Sequence, residues 1–388
     1  MCIRDRVSLE KPVGDEEDSS LGDFIEDTKA LAPLEQAIKS NLGEATTKIF
    51  EDLSDPQTLN SATTDDWRSA LWSALEGSGL TLAWVPADNG GSGASLADGF
   101  SILELSGKFA VPIPLGETLL AGWLLSKSNL ECPSGMMTIA PTRPRDKIQI
   151  TEDNRLEGEA FGIPFANVAE NVVVLAHKDE VPHIALVSVK DCIIKSNPGL
   201  SGDGRDTITF SNTTPIKIAP APESFSGQEF CIMGATIRSM QISGALQSIL
   251  KLATDYAQER VAFEKQISKF QAVQHNLAKL ASETAVAIAA AGSAMDTINT
   301  ATQYNELVFF EATSAKIRTG EAVGEATAIA HQVHGAIGFT EEHILHRYTQ
   351  RLWDWRDDFG SESEWAVELG EMVAERGADE LWPLLTAR

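Results

Sequence analysis

Arg260 is the residue from which chemistry can first be argued. In Tyr256–Leu280, YAQERVAFEKQISKFQAVQHNLAKL, the residues Tyr256, Arg260, Phe263, Ile267 and Phe270 recur at spacings of four, three, four and three. On an unbroken helix that spacing predicts a single stripe. A guanidinium on an apolar stripe needs an anion, because burying it alone costs several kcal/mol. Two kinds of anion would serve. One is a carboxylate or carbonyl of the chain's own fold, with the arginine stem lying along apolar surface. The other is a ligand phosphate, whose oxygens suit the fork of guanidinium donors.

A second stretch echoes the first at Gln332–Thr340, QVHGAIGFT. The order Tyr256…Arg260…Phe263…Ile267…Phe270-Gln271…His275…Ala278 resembles the acyl-CoA dehydrogenase family. There the pattern reads Tyr-x-x-x-Arg-x-x-Phe-Gly-x-x-Ile-x-x-Phe-Gln, near the start of a C-terminal helical domain. The second stretch is similar to that family's Gln-x-x-Gly-Gly-x-Gly-Phe/Tyr. Glu264 stands where the family has a glycine, and Ala336 where it has its second glycine.

The resemblance implies FAD as cofactor and α,β-desaturation of an acyl-CoA thioester. A carboxylate takes the α-proton while hydride passes from the β-carbon to flavin N5, so the protein positions groups and tunes a base. It implies that Arg260, Phe270, Gln271, Gln332, Gly335 and Ala336 contact the adenine and pyrophosphate half of an FAD, usually that of a neighbouring subunit. It also implies an electron-transfer flavoprotein as electron acceptor.

The base does not carry over. Counting from Gly338 lays Phe359-Gly360-Ser361 on the family's Glu-Gly-Thr, and a phenyl ring takes no proton. In other members the base lies upstream of the Tyr-Arg motif, at a position held here by Gly234. Asp357, Asp358, Glu362 and Glu364 crowd the first place, which makes Asp358 the candidate catalytic base. On a regular helix, however, it would point about 100° away from position 359. The alternative reading is a solvated acidic turn.

These residues need elements to hold them. The expected fold is α+β: an N-terminal helical domain at 23–130, a middle antiparallel β domain at 131–226, and a C-terminal four-helix bundle at 227–388. In the first, Phe24, Leu31, Leu34 and Ile38 suit one helix and Trp67, Leu71 and Leu75 another. Thr81–Pro86 reads as a short extended run. Asp88–Ser95 is a glycine-rich turn before a helix at Leu96–Phe109, and it lacks the Lys-Ser/Thr of a phosphate-binding loop. Short β-branched runs divided by Gly, Pro, Asn and Asp fill the second: 136–139, 148–150, 172–176, 183–189, 192–195 and 207–210. The family's flavin-covering segments, Thr-Glu-Pro-x-x-Gly-Ser and Trp-Ile-Thr/Ser, are replaced by Met137–Arg143 and Leu156–Gly162. In the third, helices are expected at 232–259, 272–301, 306–335, 341–355 and 364–376. Arg347–Trp355, RYTQRLWDW, reads as a substrate-side wall or as the bundle's own interface.

Composition narrows the partners. With 31 basic against 56 acidic residues, the formal charge of −25 disfavours nucleic acid and anionic membranes. The 388 residues hold no apolar run long enough to span a bilayer, and no signal peptide is evident. Cys2, Cys132, Cys192 and Cys231 are scattered, as in reduced cytosolic proteins, with no metal-ligand spacing. Met1–Leu21 reads as a disordered lead-in, and MCIRDR looks like translated sequencing adapter. The expectation is a cytoplasmic subunit of a hetero- or homotetramer, with a homologous partner supplying the base. The alternatives are a complete homomeric enzyme with a displaced carboxylate, and a scaffold or regulatory protein that kept the fold.

Overall fold

The computed structural model describes residues 33–62 and 64–386, so the expected lead-in and the positions of Phe24 and Leu31 lie outside the described residues. Contacts gather Gly43–Arg388 into one compact unit, and α1 (Pro33–Leu53) begins ahead of it.

Local signals set the first helices. α2 (Pro56–Asn60) begins with proline, whose missing N–H costs nothing there, and Asp55 accepts from Thr58 N at 2.8 Å. α3 is Asp66–Gly77, and α4 (Leu96–Lys108) opens on a reciprocal capping box of Ser95 and Asp98. Thr81–Pro86, expected as extended, is instead a run of turns. α5 (Leu115–Lys127) is buried on every side from Leu115 to Leu125. It therefore carries no stripe that periodicity could reveal.

The middle sheet comprises β1 (Met137–Ala140), β2 (Gln149–Ile150), β3 (Leu156–Ile163), β4 (Asn171–Lys178), β5 (Val181–Ser188), β6 (Ile193–Lys195), β7 (Asp206–Thr213) and β8 (Lys217–Pro220). Its order is β6-β7-β3-β2-β4-β5-β8, with β1 paired to β4. The sheet is antiparallel except that β1 and β2 each run parallel to β4. β3 and β8 have no counterpart among the expected runs. In β3, Gly158 and Gly162 interrupt the alternation, and register shifts accompany them. Ile148, Leu156, Ala160, Val172, Val174, Ile208 and Phe210 form the sheet's core.

The bundle is α6 (Gly227–Glu259), α7 (Gln271–Thr300), α8 (Glu306–His334), α9 (Leu345–Asp357), α10 (Glu362–Arg376) and α11 (Ala378–Thr386). α6 presses on α4 backbone to backbone. A Cβ at Gly107 would stand 1.9 Å from the Gln241 carbonyl oxygen, and one at Gly244 as close to that of Glu104. Lys279–Glu325, Glu283–Arg318 and Ser293–Glu311 fix the antiparallel register of α7 on α8. Carried to the helix ends, that register sets Gln271 level with Gln332.

Candidate functional site

The unbroken stripe expected from Tyr256 to Phe270 does not form. α6 ends at Glu259, Arg260 caps it in an extended conformation, and β9 (Val261–Ala262) folds back on β10 (Lys265–Gln266). The turn between them is Phe263-Glu264, with φ of 52° and 64°. Two positive φ values are what a two-residue hairpin turn demands. The family's glycine fits the second position, and Glu264 takes it at a strain of about 1–2 kcal/mol.

The break exposes the residues rather than burying them. Arg260, Gln271, Gln332, Gly335 and Ala336 are all exposed, and Phe270 is half-buried. Arg260 makes no ion pair among the described residues, so no carboxylate of its own fold answers its charge. Gly335 has φ 66° and ψ −144°, which only glycine adopts readily, and a Cβ there would meet nothing within 4 Å. Phe263 is 88% and Phe339 73% exposed. Tyr256 stacks on His334 at 4.7 Å, which ties the end of α6 to the end of α8. One end of the bundle thus gathers an unpaired guanidinium, two amides and an open glycine backbone. That set suits an anionic, planar, amide-reading ligand approaching from outside.

The base positions meet at the seam between the sheet and the bundle, and there the chain is packed solid. A Cβ on Gly234 would lie 2.2 Å from the Phe359 ring. Phe359 is 1% exposed, sits edge-on to Phe230 at 6.0 Å, and faces the Arg238 guanidinium at 5.9 Å. Arg238 is 2% exposed; its Nε donates to Asp358 at 2.8 Å, and its other arm reaches Glu117 on α5. Burial alone would strip its charge, but Glu117 and Asp358 outweigh that and hold its pKa above normal.

Asp358, the expected base, ends α9 as its C-cap and is 6% exposed. Arg205 and Arg238 both grip it. Burial pushes its pKa up, but the two guanidinium groups outweigh burial and hold it below the ordinary carboxylate value. Lys316, wholly buried, donates to the Trp355 carbonyl at 3.1 Å and to that of Arg356, capping α9. Desolvation brings its pKa down to about 8. Two of the other carboxylates are also engaged. Glu362 pairs with Arg356, and Glu364 closes a capping box on Ser361. Asp357 is exposed, without a salt bridge among the described residues, and desolvation raises its pKa.

RYTQRLWDW serves contacts within the chain. Arg351 pairs with Asp203 at 2.6 Å, and Asp354 accepts from Ser201 N at 2.9 Å, fastening α9 to the loop between β6 and β7. A cleft of about 570 Å³ remains, lined by Thr142, Arg143, Phe161, Gly162, Asp354 and Asp357. Its bundle wall is acidic. Sequence reasoning missed Arg205, Arg238 and Glu117, since a lone arginine inside an apolar helix gives no sign of two partners far away in the chain.

Helices, a strand-rich middle and a terminal bundle in this order define the acyl-CoA dehydrogenase fold. A structure described as the ChsE4-ChsE5 complex from Mycobacterium tuberculosis matches 88% of this chain and 98% of its own, at TM-score 0.78 and 18% identity. Another, described as PigA with FAD and proline, covers 90% of this chain and 100% of its own at TM-score 0.76 and 18% identity. Residues 233–352 match the family described as acyl-CoA dehydrogenase, C-terminal domain. The acyl-CoA dehydrogenase IpdE2 of Mycobacterium tuberculosis is 25% identical over 314 residues, 80% of this chain and 89% of that protein. Residues 233–352 thus match the acyl-CoA dehydrogenase C-terminal domain, and the chain as a whole has the acyl-CoA dehydrogenase fold. Among the described residues, no helix is long and apolar enough to cross a membrane.

Proposed function

We propose that this chain is the adenine-side subunit of a heteromeric acyl-CoA dehydrogenase, paired with a homologous subunit that supplies the base and the flavin-ring contacts. The observation that carries this reading is the contact of Phe359 with Gly234, which fills both places from which family bases act. A carboxylate pinned by two arginines, as Asp358 is, cannot turn toward a substrate without leaving buried charge unpaired. The open end of the bundle fits the other half of the task. Arg260 would meet the pyrophosphate, Gln271 and Gln332 would hydrogen-bond the adenosine half, and Gly335 would let that half approach the backbone. The chemistry supplied by a bound FAD would be hydride acceptance from the acyl-CoA, with an electron-transfer flavoprotein as the eventual acceptor. This chain's residues would hold it in place and shield it from water. The two-protein name of the ChsE4-ChsE5 complex supports assembly from unlike chains.

The test is the visible spectrum of the protein purified alone and with its homologous partner. The expected result is a colourless or poorly soluble chain alone, and one FAD per pair of unlike chains in the mixture. A stable, yellow, active homo-oligomer with one FAD per chain would overturn the proposal.

A further inference from the structure

We propose that the ring stack beneath the Gly335–Phe339 turn is a proton-operated support, which holds the Gln332–Phe339 edge when neutral and releases it when protonated. Three histidines and two other aromatic residues build it. Tyr256 of α6 lies parallel to His334 at 4.7 Å, with 25° between planes. His343, just past the turn, lies against His334 at 4.6 Å and edge-on to Tyr256 at 6.4 Å. His331, one helical turn before His334, stacks on Phe339 at 4.4 Å. The turn is therefore held from both ends by imidazole rings.

Hydrogen bonds settle where the protons sit. His334 Nδ1 lies 2.7 Å from the Ala330 carbonyl oxygen, so it carries the proton and Nε2 is bare. His343 Nδ1 accepts from Leu345 N at 3.1 Å, which puts its proton on Nε2. His334 Nε2 and His331 Nδ1 are buried with no hydrogen-bond partner. His334 itself is 3% exposed. A second proton on it would rest on Nε2, in a space with no acceptor and another imidazole alongside.

The surrounding charges offer no relief. α6 presents Tyr256, and Asp255 nearby is paired with Lys251. α8 presents His331, and α9 brings His346, while the hydroxyl of Tyr348 is spent on the Lys108 carbonyl. Glu341 and Glu342, beside His343 in sequence, are exposed. Burial first, and for His331 and His343 repulsion from neighbouring histidines second, lower the pKa of all three rings below 6.5. An opened turn therefore binds more protons than a closed one. The support is complete above about pH 6.5 and weakens as pH falls below it.

If the edge holds a partner's FAD, a consequence that rests on the proposed function, mild acid detaches that grip without touching the core. The experiment is hydrogen exchange on the full chain in its native assembly, at pH 7.5 and 5.5 and corrected for intrinsic rates. The expected result is that residues 335–345 lose about tenfold more protection than α7. His334→Phe keeps a ring on Tyr256 but removes the titration, and should reduce the difference to less than about threefold. His343→Phe, which removes the facing imidazole, should also reduce it and serves if the first variant fails to fold. An undiminished difference in the variants, or none in the wild type, overturns the proposal. Flavin content is measured at pH 7.5 on the same sample. A flavin-free assembly with the pH effect intact refutes the half-site reading alone, and a flavin-bound one without the effect refutes the support alone.

Discussion

The seam around Phe359 and the end of the bundle around Arg260 treat charge in opposite ways. At the seam, Arg238, Arg205, Glu117, Asp358 and Lys316 are charged groups withdrawn from water, each answered by the chain itself. At the end of the bundle, Arg260 is exposed and unanswered, beside exposed amides and an open glycine. Burying a charge is tolerable only with partners in place, so the charges of the seam are spent on one another. The other end is unfinished in the same sense. Random drift would be expected to erode both halves of a cofactor site. On the proposed function, one half would be rebuilt as core and the other kept open, which is what pairing with a complete subunit would permit.

The most severe way to break the comparison is to remove a charge from the seam. Arg238→Ala should cost about 3–5 kcal/mol in urea unfolding, because Glu117 and Asp358 are then left buried without their shared cation. A loss below about 1 kcal/mol would mean that water enters the seam and relieves it. The pH dependence follows from Asp358, whose pKa is depressed in the fold. Its contribution is complete above the ordinary carboxylate pKa of about 3.8 and is lost as pH falls through its folded value.

At the open end the same kind of change should leave the fold alone. Arg260→Ala is expected to shift the melting temperature little, since its guanidinium makes no ion pair within the described chain. Flavin retention in the assembled oligomer should weaken by about 1.5–3 kcal/mol, one charge-assisted phosphate contact. Unchanged flavin occupancy with a lowered melting temperature would make Arg260 a structural residue and erase the contrast.

The two regions were also unequally legible in the sequence. The open end could be read because its residues belong to local motifs, Tyr256 to Gln271 and Gln332 to Phe339, whose spacing survives in one chain. Even there the stripe geometry was misjudged, because nothing in local periodicity announces the Phe263-Glu264 turn. The long bundle helices were plain, since α7 and α8 each sustain a repeat over many turns. The seam was opaque. Glu117, Arg205, Arg238 and Asp358 come from an all-buried helix, a loop, another helix and a helix end, and only the fold assembles them. Phe359 at the base position was the one local sign that something there had changed. What it packs against could not be read.

The smallest expected effect is the most decisive for the rival reading, a complete enzyme with a displaced base. Among the carboxylates near Phe359, Asp358 is held by Arg205 and Arg238, Glu362 by Arg356, and Glu364 by the Ser361 cap. Asp357 remains. It is exposed, without a salt bridge among the described residues, lines the cleft together with Thr142 and Phe161, and its pKa is raised, which suits a base. It is also two residues short of position 359, the position that packs against Gly234. If the partner supplies the base, Asp357→Asn should change turnover of the assembled enzyme by no more than about twofold, with flavin content and acyl-CoA binding intact. A fall of more than about a hundredfold in kcat with KM unchanged would mark an interaction made only in the transition state. It would place proton abstraction in this chain, and the seam would then be the wall of a working site.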